Sequence, residues 1–321
     1  MTRLTILTQP TGFTLLLKKL KAIVSFIKNK ILQKKVFTPK QFGGPIAVKE
    51  SLIKGLNKLN INFNYNPKYM RDINNTVVVL SGIDALKQAI KLKRKGKIKK
   101  LLAGPNLVVL PREHNRILGA KEIDVCIVPS EWVKIAYEED EPNLIGKIKI
   151  WPVGIDEVFW MPQSKKTNNV LIYEKACSKN IVSAVKKILS KYNHNIIHIK
   201  YNSHTQETFK TILDKSSLAI FLSNVESQGI ALTESWAMNV PTIVFNPQEL
   251  TIYDKQYSSV SSCPYLTKQT GADWKTLSEF ENIIKNIDSF IDQFSPRKWV
   301  LEHMTNKICA KNLLAIIKSN Q

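Results

Sequence analysis

The sequence predicts an α/β protein of two domains, each a parallel sheet flanked by helices. Three observations carry that class. From about residue 40 onward, short β-branched runs alternate with longer segments of helical period. Several of the runs are apolar throughout, as strands covered on both faces must be. At 321 residues the chain also exceeds what one hydrophobic core organises, so two domains of roughly 150 residues each are expected.

The strands fall into two sets. VVVL (77–80), KLLA (100–103), DVCIV (124–128) and KIKIW (147–151) form the first; NVLIY (169–173), NIIHIK (195–200), LAIFLS (218–223) and PTIVF (241–245) form the second. Between them WPVGIDEVFWMPQSKKTNN passes through Gly154 and Pro162 into a polar run, the composition of an interdomain connection. The expected domains are therefore 1–162 and 163–321. After residue 275 the pattern is helical again. Pro296 separates FENIIKNIDSFIDQF from a last helix around WVLEHMTNKICAKNLLAIIK.

The segment 13–36 differs in character. Phe13, Leu16, Leu17, Leu20, Ile23, Val24, Ile27 and Ile31 fall within an arc of about 120° on a helical wheel, and Lys18, Lys19, Lys21, Lys28 and Lys30 lie outside it. Two readings fit: an interfacial helix facing anionic headgroups, or a surface helix with a solvated basic face. The charge distribution bears on both. Residues 1–150 hold 28 lysines and arginines against 11 aspartates and glutamates, within a net charge of +21 for the whole chain. Such asymmetry points to an anionic partner, here a membrane surface, nucleic acid or an acidic acceptor.

Four scattered cysteines, Cys126, Cys177, Cys263 and Cys309, show neither zinc spacing nor a disulfide framework and read as reduced thiols. No stretch approaches the ~18 uninterrupted apolar residues of a transmembrane helix, and no signal-peptide core is evident. The chain is expected to be cytoplasmic, with peripheral contact at the inner face of a membrane left open.

The most informative stretch is SSLAIFLSNVESQGIALTESWAMNVPTIVFN. A buried strand ends near Ser223, a loop carries Glu226 to Gly229, a helix begins near Ile230, and Pro241 opens the next strand. The loop thus lies at the carboxyl end of a parallel strand, where ligands of open α/β sheets collect. Gly229 permits close backbone approach, and the free N–H groups of residues 229–232 suit a diphosphate. Glu226 and Glu234, eight residues apart, can reach different parts of one extended ligand, sugar hydroxyls and a ribose. Two ordinary acids near a helix start are the plain alternative.

The stretch resembles the Glu-x7-Glu signature of retaining GT-B glycosyltransferases, family 4 (glycosyl transferases group 1) and its relatives, written E-G-F-G-x-x-x-x-E-A-x-A-x-G-x-P-x-I. Glu226, Gly229, Glu234, Ala237, Pro241 and Ile243 are in register; Ser227-Gln228, Ser235 and Asn239 depart from it. The resemblance implies two Rossmann-like domains with parallel sheets facing across a cleft, and a C-terminal helix able to pack back on the N-terminal domain. It implies a sugar-nucleotide donor bound by the C-terminal domain, with Glu226 by the sugar hydroxyls and Glu234 by the ribose. Ser227, Gln228, Gly229, Ile230, Ala231 and Thr233 would complete the donor loop and helix start.

Other pieces follow in order. Gly43 and Gly44 are similar to the family's glycine-rich turn, or form a plain loop. CIVPSEWVKIAYEED followed by KIKIWPVGIDEVFW is similar to the family's helix and crossover, with Ser130 read as a helix N-cap. Lys175 and Lys179 stand where the family has a basic pair for the diphosphate, without its Gly-Arg context. His114 and Asn106, by analogy, would contact the sugar or acceptor; an exposed loop histidine is the alternative for His114.

By resemblance the reaction is transfer of a sugar to an unknown acceptor with retention and without a metal or other cofactor, the nucleotide sugar being a co-substrate. No D-x-D, G-x-G-x-x-G, P-loop or G-x-S-x-G is present. Two rivals remain: a protein that holds a sugar nucleotide or glycan without turnover, and a basic nucleic-acid binder. The second lacks recurrent aromatics among its lysines, so no nucleic acid is expected.

Overall fold

In a computed structural model of the chain, residues 4–12, 14–16, 19, 43–253 and 255–319 are described. Apart from Thr14–Leu16 and Lys19, the amphipathic segment 13–36 lies outside the described residues. The chain divides into two compact units, Met1–Val128 with Ala136–Trp151, and Pro129–Ile135 with Pro152–Gln321.

The first unit is built on six parallel strands, β1 (Leu4–Leu7), β2 (Phe63–Tyr65), β3 (Thr76–Ser81), β4 (Lys100–Asn106), β5 (Val125–Val128) and β6 (Ile148–Ile150), in the order β2-β1-β3-β4-β5-β6. Val77–Val79, Leu101–Ala103 and Val125–Val128 are buried, so these strands are covered on both faces, as their apolar runs require. Helix α1 (Gly44–Lys58) buries Val48, Leu52 and Leu56, and helix α2 (Ile83–Arg94) buries Leu86, Ala89 and Ile90. Helix α3 (Glu131–Asp140) follows β5.

Two of these strands lie outside the expected set. LTIL of β1 is buried throughout but only four residues long, and FNY of β2 is a three-residue edge strand without an apolar run. Periodicity does not separate runs this short from loop.

The second unit carries five parallel strands, β7 (Asn169–Lys175), β8 (Asn195–Lys200), β9 (Ser216–Ser223), β10 (Thr242–Phe245) and, after an antiparallel pair β11 (Leu250–Ile252) and β12 (Lys255–Tyr257), β13 (Gly271–Trp274). Their order is β13-β10-β9-β7-β8. Strict alternation divides the core. Leu171, Tyr173, Ala219, Phe221 and Val244 pack on one face, and Val170, Ile172, Leu218, Ile220 and Ile243 on the other. Helices α4 (Lys179–Lys191), α5 (Gln206–Lys215), α6 (Ile230–Ala237), α7 (Leu277–Asn286), α8 (Pro296–His303) and α9 (Asn306–Ser319) complete the unit.

The last helical segment is two helices, not one. Between α8 and α9, Ile155 donates to Met304 O at 2.7 Å and accepts from Asn306 N at 3.0 Å. The chain leaves helical geometry there to pair with the connection. Gly154 permits this approach, since a Cβ on it would stand 2.6 Å from the Asn306 backbone.

Candidate active site

In the second sheet the chain passes from β7 to β8 on one side and then to β9 on the other, which makes the carboxyl ends of β7 and β9 a topological switch point. Register decides what meets there. Lys175, the last residue of β7, pairs with Ser223, the last residue of β9, and the chain then turns into the loop that carries Glu226. The Lys175 ammonium consequently lies 2.7 and 2.8 Å from the two Glu226 carboxylate oxygens.

The loop is pinned on every side. Ser223 Oγ lies 3.0 Å from Val225 O and 3.3 Å from Glu226 Oε1 and shares its proton between them. Glu226 N donates to Ser261 O at 3.0 Å, and the Trp132 indole N–H donates to Glu226 O at 2.9 Å. The Ser130 hydroxyl donates to Ser227 O at 2.7 Å, so the side chain read as a helix cap serves this loop. Lys175 also sits 4.9 Å from the Tyr201 ring centroid, within cation–π range.

Gly229 precedes α6 with φ 72° and ψ 54°, a left-handed conformation that favours glycine. A Cβ there would also stand 2.8 Å from Leu232 Cδ1. Past it, the first N–H groups of α6 have no intrahelical acceptor, and the helix dipole adds partial positive charge next to Glu226 and Lys175. Ile230 and Ala231 at this end are half-buried, and Ser227 is exposed. Two neighbours turn their side chains inward: Gln228 Nε2 donates to Val153 O at 3.2 Å, and the Thr233 hydroxyl donates to Ile230 O at 2.8 Å.

Glu234, one turn into α6, is buried. Burial pushes its pKa up to about 8, and a hydrogen bond from Gln206 at the start of α5 partly opposes the shift. The Tyr173 hydroxyl, also buried, is pushed up first by desolvation and then by the charges of Glu226 and Glu234. The sequence marks none of Tyr173, Trp132 and Tyr201, because a lone aromatic in a strand, helix or turn carries no pattern of its own.

Asn239, which stands where the signature has glycine, adopts φ 55° just beyond α6. Asparagine is the side-chain-bearing residue best suited to that left-handed position, so the departure preserves the backbone requirement.

Of the remaining candidates, Lys179 belongs to the second unit and the others to the first. Lys179 is exposed as the first residue of α4, behind the Ser178 cap that accepts from Ile181 N, and forms no ion pair among the described residues. In the first unit, Gly43 and Gly44 open α1, and a Cβ at either would meet nothing closer than 4.0 Å. Asn106 ends β4 with its Nδ2 buried and without a hydrogen-bond acceptor. His114 is exposed in a turn where His114, Asn115 and Arg116 have φ 52°, 57° and 55°. The turn is held from beneath: Arg112 pairs with buried Asp140, and Arg116 Nη1 lies 2.8 Å from buried Glu141 Oε2.

No protein-family model matches the chain, and no curated protein sequence matches it. Solved structures do. The chain is similar to the apo form of a lipopolysaccharide outer core galactosyltransferase, WaaB, at 13% identity and a TM-score of 0.59, with 100% of each chain covered. It is similar to a sucrose-phosphate synthase from Thermosynechococcus elongatus at 10% identity and 0.55, with 99% of each chain covered. A UDP-GlcNAc 2-epimerase from Methanocaldococcus jannaschii aligns at 14% identity and 0.51, over 99% of this chain and 100% of that one. At these identities the likeness establishes the fold alone: an α/β protein with two parallel sheets, of the GT-B type.

Proposed function

We propose that this chain is a glycosyltransferase, divergent from family 4, that moves a sugar from a nucleotide-diphosphate donor to an acceptor hydroxyl with retention and without a metal. The observation that carries the reading is the Lys175–Glu226 pair set beside the amino end of α6 at a switch point. A carboxylate that accepts from sugar hydroxyls, a cation and a row of backbone N–H groups are what a sugar diphosphate requires.

In the reaction the bond from the anomeric carbon to the diphosphate oxygen breaks and a bond to the acceptor oxygen forms, the acceptor proton passing to the departing diphosphate. Negative charge grows on that leaving group. Lys175 and the α6 N–H groups are placed to stabilise it, the role a metal ion plays elsewhere. Glu226 holds the sugar. Glu234 meets the ribose diol, and with a pKa near 8 its carboxyl can donate as well as accept at neutral pH. The acceptor falls to the first unit, where Asn106 Nδ2 lacks a partner and His114 is exposed.

A second reading, binding without turnover, is favoured by one observation: the Lys175 charge is already matched by Glu226, and Lys179 stands exposed and apart. One experiment separates the two. A panel of nucleotide sugars is screened by thermal shift, since a donor at 100 times its Kd should add about 2.7 kcal/mol of stability. Hits are then assayed, with chelator present, for release of nucleoside diphosphate in the presence of acceptor candidates. Stabilisation with release supports transfer, and stabilisation without release supports the binder. No stabilisation by any nucleotide sugar defeats both.

A further inference from the structure

A corner of the first unit exposes apolar side chains that its own fold does not explain. Tyr65 is 38% exposed, Tyr69 49%, Met70 42% and Leu16 52%. Tyr65, Met70 and Leu16 each border the segment 8–12. The Tyr65 hydroxyl is 3.0 Å from Thr8 Oγ1, and Met70 Cγ lies 3.6 Å from the point where a Cβ on Gly12 would stand. Gln88, bonded to Thr11 N at 2.7 Å, also reaches Met70 Sδ at 3.4 Å, and Leu16 N donates to Gly12 O at 3.2 Å.

Three cations flank these rings. Lys68 Nζ and Arg71 Cζ stand 5.3 and 5.1 Å from the Tyr69 ring, and Lys49 Nζ stands 5.9 Å from the Tyr65 ring. Lys49 is also paired with Glu50 at 2.5 Å, and Arg71, 83% exposed, lies 3.9 Å from Asp72, whereas Lys68 has no acidic partner among the described residues. Tyrosines with wet hydroxyls and apolar rings, a flexible methionine and flanking Lys and Arg match the chemistry of a headgroup layer. The half of the sequence that bears this patch holds 28 basic against 11 acidic residues. Among the described residues no helix is long and apolar enough to cross a membrane, so the contact suited to this surface is lateral.

We propose that this corner, centred on Tyr65, Tyr69 and Met70 with Lys49, Lys68 and Arg71 around it, is a docking surface for an anionic lipid bilayer. The rings and Met70 enter the interfacial layer, and the cations meet lipid phosphates. The proposal stands independently of the donor site and survives if that reading fails.

The test is sedimentation of the full chain with vesicles of phosphatidylglycerol and phosphatidylcholine, against vesicles of phosphatidylcholine alone. Binding to the anionic vesicles only, weakening with salt, is expected. Lys68→Glu with Arg71→Glu should lower vesicle affinity by roughly tenfold or more, and Tyr69→Ser with Met70→Ser should lower it comparably while leaving the melting temperature unchanged. The proposal is overturned if the wild-type chain fails to pellet with anionic vesicles, or if both double variants pellet as wild type does. It is overturned equally if a single-stranded oligonucleotide is retained on a filter through these residues while vesicles are not bound.

Discussion

The two carboxylate oxygens of Glu226 lie 2.7 and 2.8 Å from the Lys175 ammonium, although 50 residues separate the two positions in the chain. Parallel pairing of β7 and β9 produces this closeness. With Ser223, Ser261 and Trp132 also bonded to the loop, the pair is organised before any ligand arrives. On the proposed function, a donor entering here would spend little on ordering side chains.

Lys175→Met should therefore impair transfer by removing charge from the leaving-group side, with kcat lower by roughly 100-fold, the usual effect of deleting one stabilising group. Glu226→Gln should act mainly on sugar binding and raise KM. Steady-state kinetics with the donor found by thermal shift would check both, and unchanged turnover in Lys175→Met would move the anion site elsewhere.

Glu234 makes stability depend on pH. The folded protein holds its proton until about pH 8, whereas the ordinary carboxyl value is 4.5, so the folded state binds the extra proton across that window. Stability falls as pH rises through it and levels off above. Glu234→Gln should remove this contribution, and its melting temperature should exceed that of the wild type more at pH 8.5 than at pH 5. Parallel curves for the two proteins would mean that Glu234 ionises normally.

At Asn239 the left-handed backbone predicts an order of tolerance. Asn239→Gly should be close to neutral, whereas Asn239→Val should cost about 1–2 kcal/mol, read from urea denaturation midpoints. Equal midpoints for the two variants would contradict the backbone requirement.

Gly154→Ala should be more damaging, since its methyl group would stand 2.6 Å from Asn306 backbone atoms in the path of the Ile155 pairing. A loss of at least about 2 kcal/mol is expected, in the range of overpacking effects. A midpoint matching the wild type would show that the connection can yield.

Much of this architecture was legible in the sequence because both sheets are parallel and buried. LAIFLS and NVLIY lie within β9 and β7, since strands covered on both faces leave unbroken apolar runs, and NIIHIK coincides with β8, a half-buried edge strand rich in isoleucine. β2 was hidden because FNY, a half-buried edge strand, carries no apolar run. The break between α8 and α9 was hidden because its cause, a partner at Ile155, lies 150 residues away from Thr305. In the site, the loop around Glu226 and the turn at Gly229 announce themselves through local pattern. Tyr173 and Trp132 do not, because their meaning comes from which distant groups they touch.

Because Lys175 and Ser223 finish neighbouring strands side by side, this centre rests on the lengths of two strands more than on the residues along them. One residue inserted into either strand would part lysine from glutamate. The likeness to a galactosyltransferase chain at 13% identity is accordingly one of fold, carried by where strands run and stop and not by which residues fill them.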